Sequence, residues 1–480
     1  MTTNNNDKNG DLCELTPLSN EEKEYAIQSL CKLLTFPTVS ATAADSGAYV
    51  DCANYLVEQL HSLSIFSEDV YFLPESPPNC PVVVAHWKGI DESLPVLLLN
   101  SHYDVVPANP IEWTVPPFEG YRRDGKIYGR GAQDMKCVCI QYIEALRKIS
   151  TQDSSFRPRR SIYLTFVPDE EIGGSGMAAF LDSNLYKQKL KKQGIALALD
   201  EGLASTDAVF SVFYGERLPW WVEVTARGNT GHGSRFIDNT AVEQLLELAN
   251  KALRFRQGQR DILHGEHANH ENCAHAVAAK KKKTLGDVTT LNITSLEAGV
   301  KVGGTYAYNC VPPVAKCSLD IRISPNVVPS DISDMLDMWC QECSKTEEEH
   351  RVEWDFIADV GNDTDKHAIT CTDKKVNPWY GVFCHAMEKS MKLKIQPQIF
   401  PAATDSRFLR VLGIRALGFS PMRFSEILLH ENDEYIKEKV FCEGIAIYVG
   451  LLKELASQGK DIDEAAIMAE REEVIQANGH

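Results

Sequence analysis

Positive charge is scarce in this chain: 49 lysines and arginines stand against 67 aspartates and glutamates, a net charge of −18. A surface of that sign repels phosphate backbones and anionic lipid, which argues against nucleic acid and membrane partners. No apolar run reaches the roughly 18 residues that a membrane span needs. The opening MTTNNNDKNGDL has neither the basic start nor the apolar stretch of a signal peptide, and residues 1–18 are expected to be a disordered leader. Fourteen cysteines without a secretion signal read as reduced thiols of the cytoplasm rather than a disulfide framework. Also missing are HExxH, a Walker loop, a GxSxG elbow, GxGxxG and any internal repeat.

At 480 residues, two domains are expected. PVLLLNSH (95–102), SIYLTFV (161–167) and GIALALD (194–200) are short apolar runs of the buried-strand type, each passing into polar residues. Between the first two lies KCVCIQYIEALRKI, whose Val138, Tyr142, Ala145, Leu146 and Ile149 fall on one helical face. From about 215 the rhythm changes. WWVEVTARG is a half-buried strand, and AVEQLLELANKALRF a helix with Val242, Leu245, Leu246, Ala249 and Leu253 facing inward. Two strands follow (TLNITSLEAG, AKCSLDIRIS). Next come the helix SDISDMLDMWCQEC, capped by Ser330 or Ser333 with Ile332, Met335, Leu336, Trp339 and Cys340 inward, and the strand VEWDFIADV. The order β-α-β-β-α-β is that of a ferredoxin-like sandwich. The fold class is therefore α/β in two domains. Residues 19–214 and 363–462 form a discontinuous mixed-sheet domain, 215–362 an inserted α+β domain, and 463–480 a solvated tail. Cys340 and Cys343 form a C-x-x-C without a second pair and read as core cysteines. HGEHANHENCAHAVAAKKKK (264–283) reads as a surface insertion, although His264, His267, His270, Cys273 and His275 are possible metal ligands.

Chemistry gathers at the predicted strand ends. NSHYD carries His102 and Asp104, RGAQD carries Asp134, and PDEE carries Glu170 and Glu171. LALDEG carries Asp200 and Glu201, and LLHENDE carries His430. Adjacent carboxylates repel one another, and acids at strand ends often cap helices or face solvent. Two imidazoles with several carboxylates on one rim also suit a borderline-soft dication, above all zinc. Two such ions about 3.5–4 Å apart need a bridging carboxylate and hold a water between them.

LLLNSHYDVVPA, WTVPPFEGYRRDGKIYGRGAQDMKCV, TFVPDEEIGG, LALDEG, TGHGSRF, PAATDSRFLR and LLHENDE follow one another in an order that resembles the co-catalytic zinc exopeptidase and amidohydrolase family. The resemblance runs from about residue 20 to 455; GAQDMKCV and PAATDSR point to its aminoacylase branch. It implies a zinc-exopeptidase-like catalytic domain, an inserted lid and dimerisation domain, two zinc ions per subunit, and hydrolysis of N-acyl-L-amino acids. Its relatives include dipeptidases and carboxypeptidases, and a catalytically idle dimeric binder is the alternative outside the enzymes. By resemblance, His102 and Glu201 serve one zinc or are divided between the pair, Asp134 bridges, and Glu171 and His430 complete the other site; Asp200 is the second choice to Glu201. Glu170 matches the general base, and Asp104 orients His102. A non-proline cis peptide is implied at Asp134–Met135. His232, from the partner subunit of a homodimer, matches the oxyanion donor. Asn309 and Arg322 match the substrate-carboxylate contacts, with Thr404 and Asp405 lining the pocket. KVGGTYA (301–307) looks longer than the family pattern.

Overall fold

The computed structural model describes residues 15–66, 69–152, 155–265, 283–345, 351–357 and 367–478. The proposed ligands His267, His270, Cys273 and His275, the lysine run up to Lys282, and the expected 362/363 domain joint lie outside the described residues. The chain divides into two compact units. One holds the residues up to Tyr214 with Thr370–Pro397 and Thr404–His480; the other holds Gly215–Ile369 with Gln398–Ala403.

The first unit is built on an eight-stranded mixed sheet. Its centre is three neighbouring parallel strands, Ile162–Val167, Val96–His102 and Ile195–Asp200, flanked by Val83–Trp87 and Ala416–Gly418. The runs at 95–102, 161–167 and 194–200 are continuously apolar because both faces are covered. Leu97 and Leu99 pack with the helices Asn20–Leu34, Ala48–His61, Lys136–Gln152 and Glu438–Ala456, while Val96 and Leu98 meet Met177, Phe180 and Leu409 on the other face. Lys136–Gln152 is buried nearly all round, so its predicted face is only part of its packed surface. It lies close against Glu438–Ala456 because residue 444 is glycine: a Cβ there would fall 2.1 Å from Gln141 Nε2. The helix Lys460–Asn478 starts before the expected tail. Its Ala466 is buried, and Asp463 accepts from Arg160 (3.0 Å) and Trp379 Nε1 (3.1 Å).

The second unit is a four-stranded antiparallel sheet ordered Thr290–Ala298, Val314–Ile323, Leu218–Arg227, Val352–Phe356. Its core is shared with the helices Ala241–His264 and Pro329–Cys343. With chain order strand, helix, strand, strand, helix, strand, this is the ferredoxin-like topology. Two local expectations need correction. On Ala241–His264 the buried stripe is Ala241, Gln244, Leu245, Leu248, Ala249 and Ala252, while Leu246 and Leu253 are about half exposed. The apolar stripe is wider than the sheet can cover. On Pro329–Cys343 neither Ser330 nor Ser333 caps: Val328 is the cap residue and Pro329 opens the helix, needing no partner for a missing N–H. Residues 301–307 hold a hairpin, Lys301–Val302 against Thr305–Tyr306, turning at Gly303 and Gly304 with positive φ.

His86, at 6% exposure, stacks on Tyr163 with ring centroids 4.2 Å apart. Asp69 lies 3.8 Å from its Nδ1, and Lys189 stands over the Tyr163 ring. Burial, reinforced by Lys189, depresses the His86 imidazole to about 4. Between about 4 and 6.5 the unfolded chain therefore binds the extra proton, and this stability, about 2–3 kcal/mol, is present above pH 6.5 and lost as pH falls. His86→Phe should narrow the gap between the thermal midpoints at pH 5 and pH 7.5; an unchanged gap contradicts the assignment.

Candidate metal centre and active site

Parallel pairing explains how residues far apart in the sequence meet. His102 pairs with Val167 and Leu99 with Leu199, so three strands release their carboxyl ends side by side. From these ends come His102 and Asp104, Glu170 and Glu171, and Glu201. Asp134 sits just before the helix Lys136–Gln152, and the Asp134–Met135 peptide is cis. His430 stands ahead of the strand Tyr435–Lys437, which pairs with Lys126–Tyr128. That pairing ties residue 430 to the segment leading into Asp134.

His102, Asp134 and Glu201 form one group able to hold a cation, and Asp134, Glu171 and His430 another; within each, the ligand atoms all lie within 4.8 Å of one another. His102 Nε2 is 3.1 Å from Asp134 Oδ1 and 3.5 Å from Glu201 Oε2. His430 Nε2 is 3.3 Å from Asp134 Oδ2 and 3.1 Å from Glu171 Oε2. The two oxygens of Asp134 thus face different imidazoles, as a bridging carboxylate requires.

The acids are arranged by a second set of contacts. The Asp104 carboxylate accepts from the backbone N–H of Glu170 (3.1 Å) and Glu171 (3.2 Å) and from the Ser40 hydroxyl (2.8 Å), and lies 3.3 Å from His102 Nδ1. It orients one imidazole and two glutamates at once. Asp169, first of the three adjacent acids, turns away to accept from Tyr49 and Ser175, both at 2.6 Å. Asp200 belongs to neither group: it accepts from Asn100 Nδ2 (3.0 Å) and Ser406 (2.8 Å), so as an alternative to Glu201 it is set aside. Thr404 is buried and its Oγ1 accepts from Ser406 N–H (3.2 Å).

Burial, and next to it the Glu201 charge, drives the Glu170 carboxyl well above the carboxylate range. Burial and Asp134 raise Glu171; burial raises Glu201, with Asp134 and Asp200 adding to it. Burial alone would lower His102, yet the surrounding carboxylates raise it well above an ordinary imidazole. Hydrogen bonds with Asp134 and Glu171 bring His430 to about 10. Protein groups by themselves therefore balance this charge with protons, and Glu171 Oε1 is buried without a hydrogen-bond partner among the described residues. Two imidazoles, three carboxylates and one orphaned oxygen are a donor set that fits a pair of borderline dications.

The remaining expected residues belong to the second unit. His232 pairs with Cys310, and Gly233 N–H donates to the Asn309 carbonyl (2.7 Å), so His232 and Asn309 are held as one ribbon. Ser234 meets His232 Nδ1 through both its hydroxyl (2.7 Å) and its N–H (3.2 Å), which fixes that edge of the ring and leaves Nε2 as the other edge. Arg322 is engaged by Asp320 through Nε (2.7 Å) and Nη2 (3.0 Å). Three residues beyond the expected set also belong to the first unit's site. Arg407 Nη1 lies 3.9 Å from Glu170 and donates to the Thr404 carbonyl (3.1 Å). Arg130 and Glu434 form a buried ion pair (2.9 Å) beside Asp134. RGAQD and LLHENDE already held them, but nothing local in those strings distinguishes a buried charge from a solvated one.

The hydrogen bonds with Asp134 and Glu171 favour the protonated His430 ring in the metal-free protein, and a dication bound at that ring displaces the proton. Zinc uptake at pH 7 should therefore release protons, and affinity should fall as pH falls. Calorimetric titration in buffers of different protonation enthalpy should give buffer-dependent heats; heats independent of buffer contradict this charge assignment.

The profile of "Peptidase family M20/M25/M40" matches residues 98–454. Aminoacylase-1 of Dictyostelium discoideum is 42% identical over 412 residues, covering 85% of this chain and 93% of the relative. Aminoacylase-1 of Homo sapiens is 40% identical over 385 residues, 80% of this chain and 85% of the relative. Among solved structures, the M20 family metallo-carboxypeptidase Sso-CP2 from Sulfolobus solfataricus superposes with a TM-score of 0.61 at 20% identity, covering 91% of this chain and all (100%) of that one. Human carnosine dipeptidase 1 does so with a TM-score of 0.58 at 16% identity, covering 91% and 97%. These last two show the fold. The strand-end cluster and the sequence likeness lead to one conclusion: this chain belongs to Peptidase family M20/M25/M40 and is a metal-dependent hydrolase.

Proposed function

We propose that the protein hydrolyses the amide bond of N-acyl-L-amino acids to a carboxylate and a free L-amino acid, with two zinc ions per subunit. The supporting observation is the single carboxylate of Asp134 set between two imidazoles, each group completed by a glutamate. His102, Asp134 and Glu201 hold one ion, and Asp134, Glu171 and His430 the other. Ions bound there would supply a water nucleophile at neutral pH and polarise the amide carbonyl.

The protein's own groups do the rest. Glu170, buried and raised by its acidic neighbours, accepts a proton and hands it to the departing amine nitrogen, which avoids an anionic leaving group. Asp104 holds His102 in orientation through its Nδ1 edge. The Nε2–H of His232, from the second copy in a homodimer, donates to the developing oxyanion. Arg322 and Asn309 recognise the free carboxylate, a planar partner suited to a guanidinium, and Thr404 lines the pocket beside Arg407. The half-exposed Leu246 and Leu253 on the small unit's helix support the pairing of copies. Every cysteine among the described residues is free, and no helix among them is long and apolar enough to cross a membrane. Both features suit a cytoplasmic enzyme.

Glu170→Gln should lower kcat by about 10²–10⁴-fold with zinc still bound; turnover near wild type with zinc in place contradicts its role as base. N-acetyl-methionine should be cleaved faster than unblocked dipeptides, and the reverse order would make the protein a dipeptidase. Mixing Glu170→Ala with His232→Ala chains should restore part of the activity, whereas no recovery despite subunit exchange rules out a shared site.

A further inference from the structure

Resting on the hydrolase reading above, we infer that Glu434 and Arg130 are positioning residues that set the Asp134 turn against the His430 loop and so build the second metal group. Neither side chain is itself a ligand: both are buried, Glu434 at 0% and Arg130 at 2% exposure. Glu434 Oε2 accepts from Arg130 Nη1 (2.9 Å) and Gly131 N–H (2.9 Å), and Oε1 from the N–H of Gln133 (2.6 Å) and Asp134 (3.3 Å). One carboxylate thus grips the whole turn that ends in the bridging acid.

The guanidinium grips the other loop. Arg130 Nη2 donates to the His430 carbonyl (3.3 Å) and the Pro107 carbonyl (3.4 Å), and Nη1 to the Glu431 carbonyl (3.0 Å). Gly129 N–H donates to the Glu434 carbonyl (3.0 Å), which continues the Tyr128–Tyr435 pairing and fixes the register. The Gln133 side chain adds contacts to the carbonyls of Glu426 (3.0 Å) and Tyr435 (2.8 Å).

His430 needs this support. Its imidazole is 54% exposed, so packing does not fix it. Its backbone has φ 62°, a left-handed conformation uncommon for a residue with a Cβ. Apart from its contacts with Asp134 and Glu171, the ring is held near Asp134 Oδ2 by the loop's attachment. His102, by contrast, is buried at the end of a central strand and does not depend on that attachment. Asp134 serves both groups, but only one of them also draws on the braced His430 loop, so the brace should weigh more heavily on that group.

The experiment titrates metal-free protein with zinc against a chromogenic chelator, for wild type, Glu434→Gln, Arg130→Lys and, as reference, His430→Ala. Glutamine replaces one acceptor oxygen with an N–H₂ that faces donors. Lysine keeps the charge but has no second arm for the His430 carbonyl. Both variants should weaken one of two equivalents by 10–100-fold, the same one that His430→Ala weakens, and leave the other within a few-fold. kcat should fall while KM stays within a few-fold. Two equivalents at wild-type affinity in a variant with a lowered thermal midpoint would mean the pair only stabilises the fold, and overturns the inference alone; equal weakening of both equivalents does the same. Wild type that takes up no dication overturns the hydrolase reading and this inference together. Should Glu434→Gln fail to fold, Arg130→Lys decides.

Discussion

The Asp134 carboxylate stands between two imidazoles, one oxygen to each, and the rest of the site is organised around that contact. Two histidines that share one acid must lie on opposite sides of it. They come from places as unlike as a central strand and a surface loop. Burial would raise the Asp134 carboxyl, but the hydrogen bonds from His102 and His430 hold it well below the usual range. Glu170, Glu171 and Glu201 are pushed the other way, by burial first and by neighbouring carboxylates next.

Two parts of the fold meet at that point. The large sheet delivers His102, the Glu170–Glu171 turn and Glu201 from adjacent parallel strand ends, the usual place for a site in such sheets. The small three-stranded sheet, with Tyr435–Lys437 on Lys126–Tyr128, brings the His430 loop to the Asp134 turn. Buried polar groups join the parts: Asp104 links the His102 strand to the glutamate turn, and Glu434 with Arg130 links the turn to the loop. Asp104 and Glu434 each accept from several donors and Arg130 donates through both Nη atoms, which helps these buried charges to be tolerated. Arg130 Nε, however, is buried without a hydrogen-bond partner among the described residues.

Much of this was legible in the sequence. Apolar runs ending abruptly in polar residues marked the central strands, because strands covered on both faces are apolar throughout. Alternation of strands and helices between 215 and 357 marked the ferredoxin-like unit. What stayed hidden depended on three-dimensional neighbours. That Leu246 and Leu253 would remain exposed cannot be read from a helical stripe, which reports only that a face is apolar and not how wide the covering sheet is. Asp200 and Glu201 are adjacent and alike, and the opposite directions in which neighbouring side chains leave the strand end decide which of them joins the His102 and Asp134 group. Glu434 and Arg130 sit in strings rich in charge, where only the pairing of distant strands buries them. Arg407, beside Glu170, is a cation at the start of a short helix until the two segments meet.

The central proposal is that Asp134 would bridge two zinc ions. Diffraction from zinc-loaded crystals, collected on both sides of the zinc absorption edge, tests it most directly. Two anomalous peaks within about 4 Å of each other, one beside His102 and Glu201, the other beside Glu171 and His430, with Asp134 between them, are the predicted result. A single peak, or peaks that leave Asp134 without a metal contact, would contradict it.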